Sequence, residues 1–228
     1  MTVAIEQLHF TRPTRGGFAL TLPALQLAEG ERVFLHGPSG SGKSTLLNLI
    51  AGVLTGYEGS LRVFGAELSS LSARQRDALR GDRIGFIFQQ FNLLPYLSVL
   101  ENVLMPCRVS APRRAAVLEH ESLDACARRL LGELGLGEDL FQAPASDLSV
   151  GQQQRVAAAR ALIGQPGLII ADEPTSALDR DNCDGFLELL LSQCAQHDTS
   201  VLFVSHDREL SAHFDRSVSL TGDGACSG

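Results

Sequence analysis

The chain has 228 residues, 44% apolar and 20% charged, which suits one α/β domain with a sizeable core and excludes a disordered polymer. A formal net charge of −7 argues against a footprint for nucleic acid or anionic lipid. No apolar run reaches the ~20 residues of a membrane span. The longest, Leu46 to Leu54, is broken by Asn48 and Gly52.

The N-terminus, MTVAIEQLHF, lacks a basic-then-apolar signal pattern, so the expected place is the cytosol, with docking on a membrane protein left open. Five cysteines, odd in number and without CxxC spacing, fit reduced thiols better than a disulfide framework or a zinc site. The six histidines form no HExxH pair, and the 19 basic residues include one lysine, Lys43.

In chain order, Val3 to Phe10 and Phe18 to Leu27 show period-two stretches, and Glu31 to His36 is a short apolar strand. Lys43 to Leu54 reads as a helix, Ser60 to Phe64 as a strand, Ser72 to Arg80 as a polar helix and Ile84 to Phe88 as a buried strand. From Ser98 to Gly137 the β signal fades, and Pro95, Pro106 and Pro112 punctuate segments of helical periodicity, Ala125 to Leu134 among them. Strand signal returns at Gly167 to Ala171 and Ser200 to Ser205, around a helix from Asp181 to Gln196. The pattern predicts an α/β core over 1–89 and 161–220, a helical insert over 90–160 and a frayed tail over 221–228.

Gly37-Pro38-Ser39-Gly40-Ser41-Gly42-Lys43-Ser44 fits the phosphate-binding pattern G-x-x-x-x-G-K-[ST], placed after a strand and opening a helix. Glycines let backbone N–H groups turn inward around phosphate oxygens, and the helix N-terminus adds its positive end. Lys43 would reach the β and γ phosphates, and Ser44 would ligate Mg²⁺. The run Leu168 to Glu173 delivers two carboxylates at a strand's C-terminal end. Alone this reads as a strand entering a loop. With the phosphate loop upstream, Asp172 suits Mg²⁺ and Glu173 a water in line with the γ-phosphate. Leu148 to Arg155, LSVGQQQR, precedes a helix over 152–163; by itself it reads as an ordinary cap with a glutamine-rich first turn.

Taken in order, GPSGSGKS, Gln89 in FIFQQFNLLP, LSVGQQQR, IIADEP, Ser176-Ala177-Leu178-Asp179 and His206 in FVSHD resemble the nucleotide-binding subunit of an ABC transporter over nearly the whole chain. The resemblance implies a RecA-like P-loop core with an N-terminal antiparallel β subdomain and an inserted α-helical subdomain. It implies an ATPase in which two copies pair head to tail around two ATP. Gly37 through Thr45, Asp172, Glu173 and His206 of one copy would meet Ser149, Gly151 and Gln152 of the other. Glu173 would be general base, His206 would hold the γ-phosphate and the water, Gln89 would sense Mg²⁺ and the water, and Asp179 would lie at the dimer seam.

Two positions depart from the family. Val150 stands where the motif usually has Gly, and the adenine-stacking aromatic has no clear counterpart. By spacing that place falls near Arg12, with Phe10 and Phe18 close by and reading first as core.

FQQFNLLPYLSVLENVLMP resembles the lipoprotein-releasing and macrolide-efflux (LolD/MacB-like) group, which implies a permease partner received by segment 90–106. A polar amino-acid importer, a cell-division-type regulator and a soluble ABC ATPase of DNA repair or translation are the other readings. Arg74, Arg76, Arg80 and Arg83 read as a solvated helix face.

Overall fold

The computed structural model describes residues 1–12, 18–176, 180–221 and 226–227. Strands β1 (Val3–Arg12), β2 (Phe18–Leu27), β4 (Glu58–Val63) and β5 (Ala66–Glu67) form an antiparallel sheet in the order β2-β1-β4-β5. Strands β3 (Arg32–His36), β6 (Ile84–Ile87), β7 (Leu168–Asp172), β8 (Ser200–Val204), β9 (Arg216–Leu220) and β10 (Cys226–Ser227) form the second sheet. Its order is β10-β9-β3-β8-β7-β6, parallel except for β10. Strands β7 and β8 are buried along nearly their whole length, as parallel strands covered on both faces must be.

Helix α1 (Lys43–Ile50) lies between the sheets, sharing a core with Val3, Ile5 and Leu8 on one side and Val33, Ile170 and Val204 on the other. It is shorter than its apolar run. The N–H groups of Ala51 and Gly52 bond back to Leu47 and Leu49 and close the last turn. Helix α2 (Ala73–Arg83) is not merely a solvated face. Arg76 bonds the Leu71 carbonyl, Arg80 reaches Ala51, and the Arg83 guanidinium sits 4.0 Å over the Phe64 ring.

Four helices follow without an intervening named strand: α3 (Val99–Val109), α4 (Ala111–Leu118), α5 (Leu123–Glu133) and α6 (Val150–Leu162). Each begins at a serine whose hydroxyl accepts a backbone N–H: Ser98, Ser110, Ser122 and Ser149. Pro106 does not end α3 but sits inside it, where Val103 and Cys107 pack into the shared core; packing here overrides propensity. Arg113 is buried and ties α4 to the carbonyls of Ile84, Ala161 and Ile163; burial pushes its pKa down to about 10. Helix α7 (Arg180–Ala195) covers the parallel sheet through Phe186, Leu187 and Leu190. Among the described residues, no helix is long and apolar enough to cross a membrane.

Candidate nucleotide site

The C-terminal ends of β3, β7 and β8 point to one edge of the parallel sheet, where open α/β sheets bind ligands. A cavity of about 680 Å³ opens there. Gly37, Ser39, Gly40, Gly42, Lys43, Ser44 and Thr45 line it from the loop after β3, and Gln89, Asp172, Glu173 and His206 from the other strand ends. Pro38 and Ser41 belong to the same loop but do not line the cavity; Ser41 is buried beneath it.

The loop's sequence explains its shape. A Cβ on Gly37 would lie 2.2 Å from the Leu220 carbonyl oxygen, so only glycine lets the loop pass β9. Gly42, the N-cap of α1, has φ 98° and offers no side-chain cap, unlike the serines of the later helices. The first N–H groups of α1 therefore face outward without a capping hydroxyl, which makes an anion site. The Lys43 ammonium, at the same helix start, donates to the carbonyls of Gly37 and Pro38 at 2.8 and 3.1 Å.

Burial raises the Asp172 carboxyl and the Glu173 charge adds to this, while a Ser44 hydrogen bond and the Lys43 charge oppose it. Glu173 has φ 47°, a left-handed backbone that costs a non-glycine residue roughly 1–3 kcal/mol and is sustained by its surroundings. Its N–H is held by the Val204 carbonyl at 2.9 Å, and its Oε2 lies 3.3 Å from His206 Nδ1. Ser44, Gln89 and Asp172 offer a hydroxyl, an amide and a carboxylate to one cavity, hard oxygen donors of the kind Mg²⁺ takes beside phosphates. Among the described residues there is no cluster of three His, Cys, Asp or Glu for a soft or multi-carboxylate metal site.

Ser149, Gly151 and Gln152 do not line this cavity. They form the start of α6, where Ser149 and Gln152 cap each other reciprocally, Ser149 is exposed, Val150 is 45% exposed and Gly151 and Gln152 are half-buried. Asp179, with Ala177 and Leu178, lies outside the described residues. Arg160, near the other end of α6, donates to the carbonyls of Phe91 and Asn92 just after Gln89. Both of those residues also have left-handed backbone, at φ 57° and 50°.

Two residues join the cavity that sequence reasoning left unassigned. Arg12 and Phe18 are cross-strand partners at the β1–β2 end, and both line it. Phe10 is core, as its pattern suggested, whereas Phe18 is only partly buried beside the Gly42 turn. Alternation alone could not separate them, because the nucleotide loop covers one end of the β1–β2 pair.

A family model described as ABC transporter matches residues 20–176. The lipoprotein-releasing system ATP-binding protein LolD of Pseudomonas syringae pv. tomato is 45% identical over 87% of this chain and 84% of its own. The uncharacterized ABC transporter ATP-binding protein YbbA of Escherichia coli K12 is 43% identical over 88% of this chain and 85% of its own. Among solved structures, a dimeric post-hydrolysis state of the ATP-binding cassette MJ0796 bound to ADP and Pi superposes with a TM-score of 0.85. It is 34% identical and covers 99% of this chain and 97% of its own.

Proposed function

The chain belongs to the ABC transporter ATP-binding family and is an ATPase, and on that premise we propose that it is the nucleotide-binding subunit of a lipoprotein-release or efflux type of transporter. Two copies pair head to tail around two ATP and drive a permease of that type. The observation carrying this reading is a divided constellation. Lys43, Ser44, Gln89, Asp172, Glu173 and His206 share one cavity, while Ser149, exposed, and Gly151, half-buried, stand elsewhere on the same chain. A second copy supplies the missing half, as the dimeric relative suggests.

Lys43 and the loop N–H groups bind the phosphates, and Ser44, Gln89 and Asp172 would hold Mg²⁺, which would supply positive charge against the phosphates. Arg12 and Phe18 hold the base, the guanidinium plane stacking on it. Glu173 takes a proton from the water that attacks the γ-phosphorus as the bond to the β-phosphate oxygen breaks. His206, 3.3 Å from that carboxylate, holds the water and the γ-phosphate in line. The partner's Ser149 and the N-terminus of its α6 bind the far side of the γ-phosphate. The permease docks on the strip around Phe88 and Tyr96, both exposed, Tyr96 at 76%; Phe91 and Leu100 of the same stretch fill the helical core instead.

The test is capture of the ATP-bound assembly. Glu173→Gln is expressed in the native host, membranes are solubilised with ATP and Mg²⁺, and the co-purifying proteins are identified by mass spectrometry. A permease with few spans and a large extracytoplasmic domain supports the reading. A many-span permease moves the chain to another transporter branch, and soluble partners alone overturn the permease.

A further inference from the structure

The glutamines at the start of α6 do different jobs. Gln152 Oε1 accepts the Ser149 N–H at 2.8 Å and closes the cap, and Gln153 Nε2 donates to the Leu148 carbonyl at 3.0 Å. Both bonds stay within the helix start. Gln154 turns the other way. It lies on the buried face of α6 with Ala157, Ala158 and Ala161, and is 1% exposed. Its Nε2 donates to the Pro174 carbonyl at 3.0 Å. An apolar side chain would fill that face at a lower desolvation cost, so what the amide adds is the bond.

The bond ends one residue from Glu173. Glu173 has φ 47° and precedes a proline, although a residue in that place favours extended backbone. Such a conformation persists only where the surroundings hold it. Two holds are backbone: the Glu173 N–H donates to the Val204 carbonyl at 2.9 Å, and the Glu173 carbonyl accepts the Ser176 N–H at 3.3 Å. Pro174 has no N–H, so its carbonyl is its one backbone hydrogen-bonding group, and Gln154 takes it. The proline ring fixes its own φ, so few free torsions separate the held carbonyl from the Glu173 Cα. Pro174 is buried as well, which keeps the bond in a low-dielectric setting where it is stronger than in water.

We propose that Gln154 is a positioning residue for ATP hydrolysis: through the Pro174 carbonyl it holds the Glu173 carboxylate where it meets the attacking water. This rests on the reading of Glu173 as general base. Gln154 does not line the nucleotide cavity, so its effect falls on the chemical step and not on ATP binding.

Gln154→Met keeps the length and helix propensity of the side chain and removes its N–H donor. Single-turnover hydrolysis by the purified full chain is measured with ATP and Mg²⁺, and ATP binding separately. The hydrolysis rate should fall at least about fivefold, a fraction of the ~10²-fold that a 1 Å misplacement can cost. The Kd for ATP should change by less than about twofold. In the Glu173→Gln background, where no base remains to be positioned, the same substitution should alter the residual rate by less than about twofold. Should Gln154→Met fail to fold, Gln154→Asn takes its place with the same expectations, since it keeps the amide and shortens its reach by one methylene. A rate loss smaller than fivefold, an equal loss in both backgrounds, or a matching loss of ATP affinity overturns the proposal. Wild-type turnover by Glu173→Gln overturns the general-base reading and this proposal with it; loss of turnover there but not in Gln154→Met overturns the positioning role alone.

Discussion

His206 Nδ1 stands 3.3 Å from Glu173 Oε2, across the ends of two adjacent parallel strands, β7 and β8. Glu173 is turned there by its left-handed backbone, and the Val204 carbonyl fixes its N–H. If this pair positions the attacking water, Glu173→Gln should bind ATP yet lower turnover on the order of 10²–10⁴-fold, the usual share of a general base. Single-turnover hydrolysis with separate measurement of ATP binding checks it; wild-type turnover would remove Glu173 from the role.

Lys43 has no substitute in this chain, being its sole lysine. Lys43→Ala should lose ATP hydrolysis on the order of 10²–10³-fold, the scale of one well-placed charge at a transferring phosphoryl group. Normal hydrolysis by that variant would sink the phosphate-site assignment.

Arg12 and Phe18 face the same cavity from paired strands. A stacked guanidinium contributes about 0.5–2 kcal/mol, so Arg12→Ala should raise the KM for ATP roughly two- to thirtyfold with little change in kcat. An unchanged KM would show that the base rests elsewhere.

The raised Asp172 carboxyl makes a stability prediction with a definite sign. Its folded pKa lies above the unfolded value, so ionisation costs stability once the pH exceeds the folded pKa. Asp172→Asn should raise the Tm of the nucleotide-free protein at neutral pH by roughly 2 °C. That gain should shrink as the pH falls toward the carboxyl's own titration, while Mg²⁺-dependent hydrolysis is lost. Paired thermal melts at neutral and acidic pH test it, and a lower Tm at neutral pH contradicts it.

Gly37 packs against β9, which leaves no room for a side chain. Gly37→Ala should destabilise the fold by about 2–4 kcal/mol, as overpacking against backbone does. Urea unfolding without nucleotide reads this directly, and a loss under 0.5 kcal/mol would mean that β9 yields.

The phosphate loop was legible because its chemistry is local: glycines, one lysine and a helix start within eight positions. The carboxylates at 172 and 173 were legible because a buried parallel strand is an unbroken apolar run. Strand β9 was not, since Arg216–Leu220 is five residues long with two serines and gains its meaning only beside β3. Arg113 and Gln193 gave no local signal either; burial of a polar side chain is decided by elements distant in sequence. Phe18 was misleading for the same reason, its surroundings being set by the loop after β3.

The hold of Arg160 on Phe91 and Asn92 gives α6 a mechanical consequence. The helix that begins at Ser149 also grips the two left-handed residues that follow Gln89 and Gln90. Each such backbone conformation stores roughly 1–3 kcal/mol. A swing of α6 large enough to break that grip would release the stored strain, and the segment would relax as a spring freed from its catch. Gln89 and the start of α6 are thus linked through Arg160 and the body of the helix, along a route that does not cross the parallel sheet.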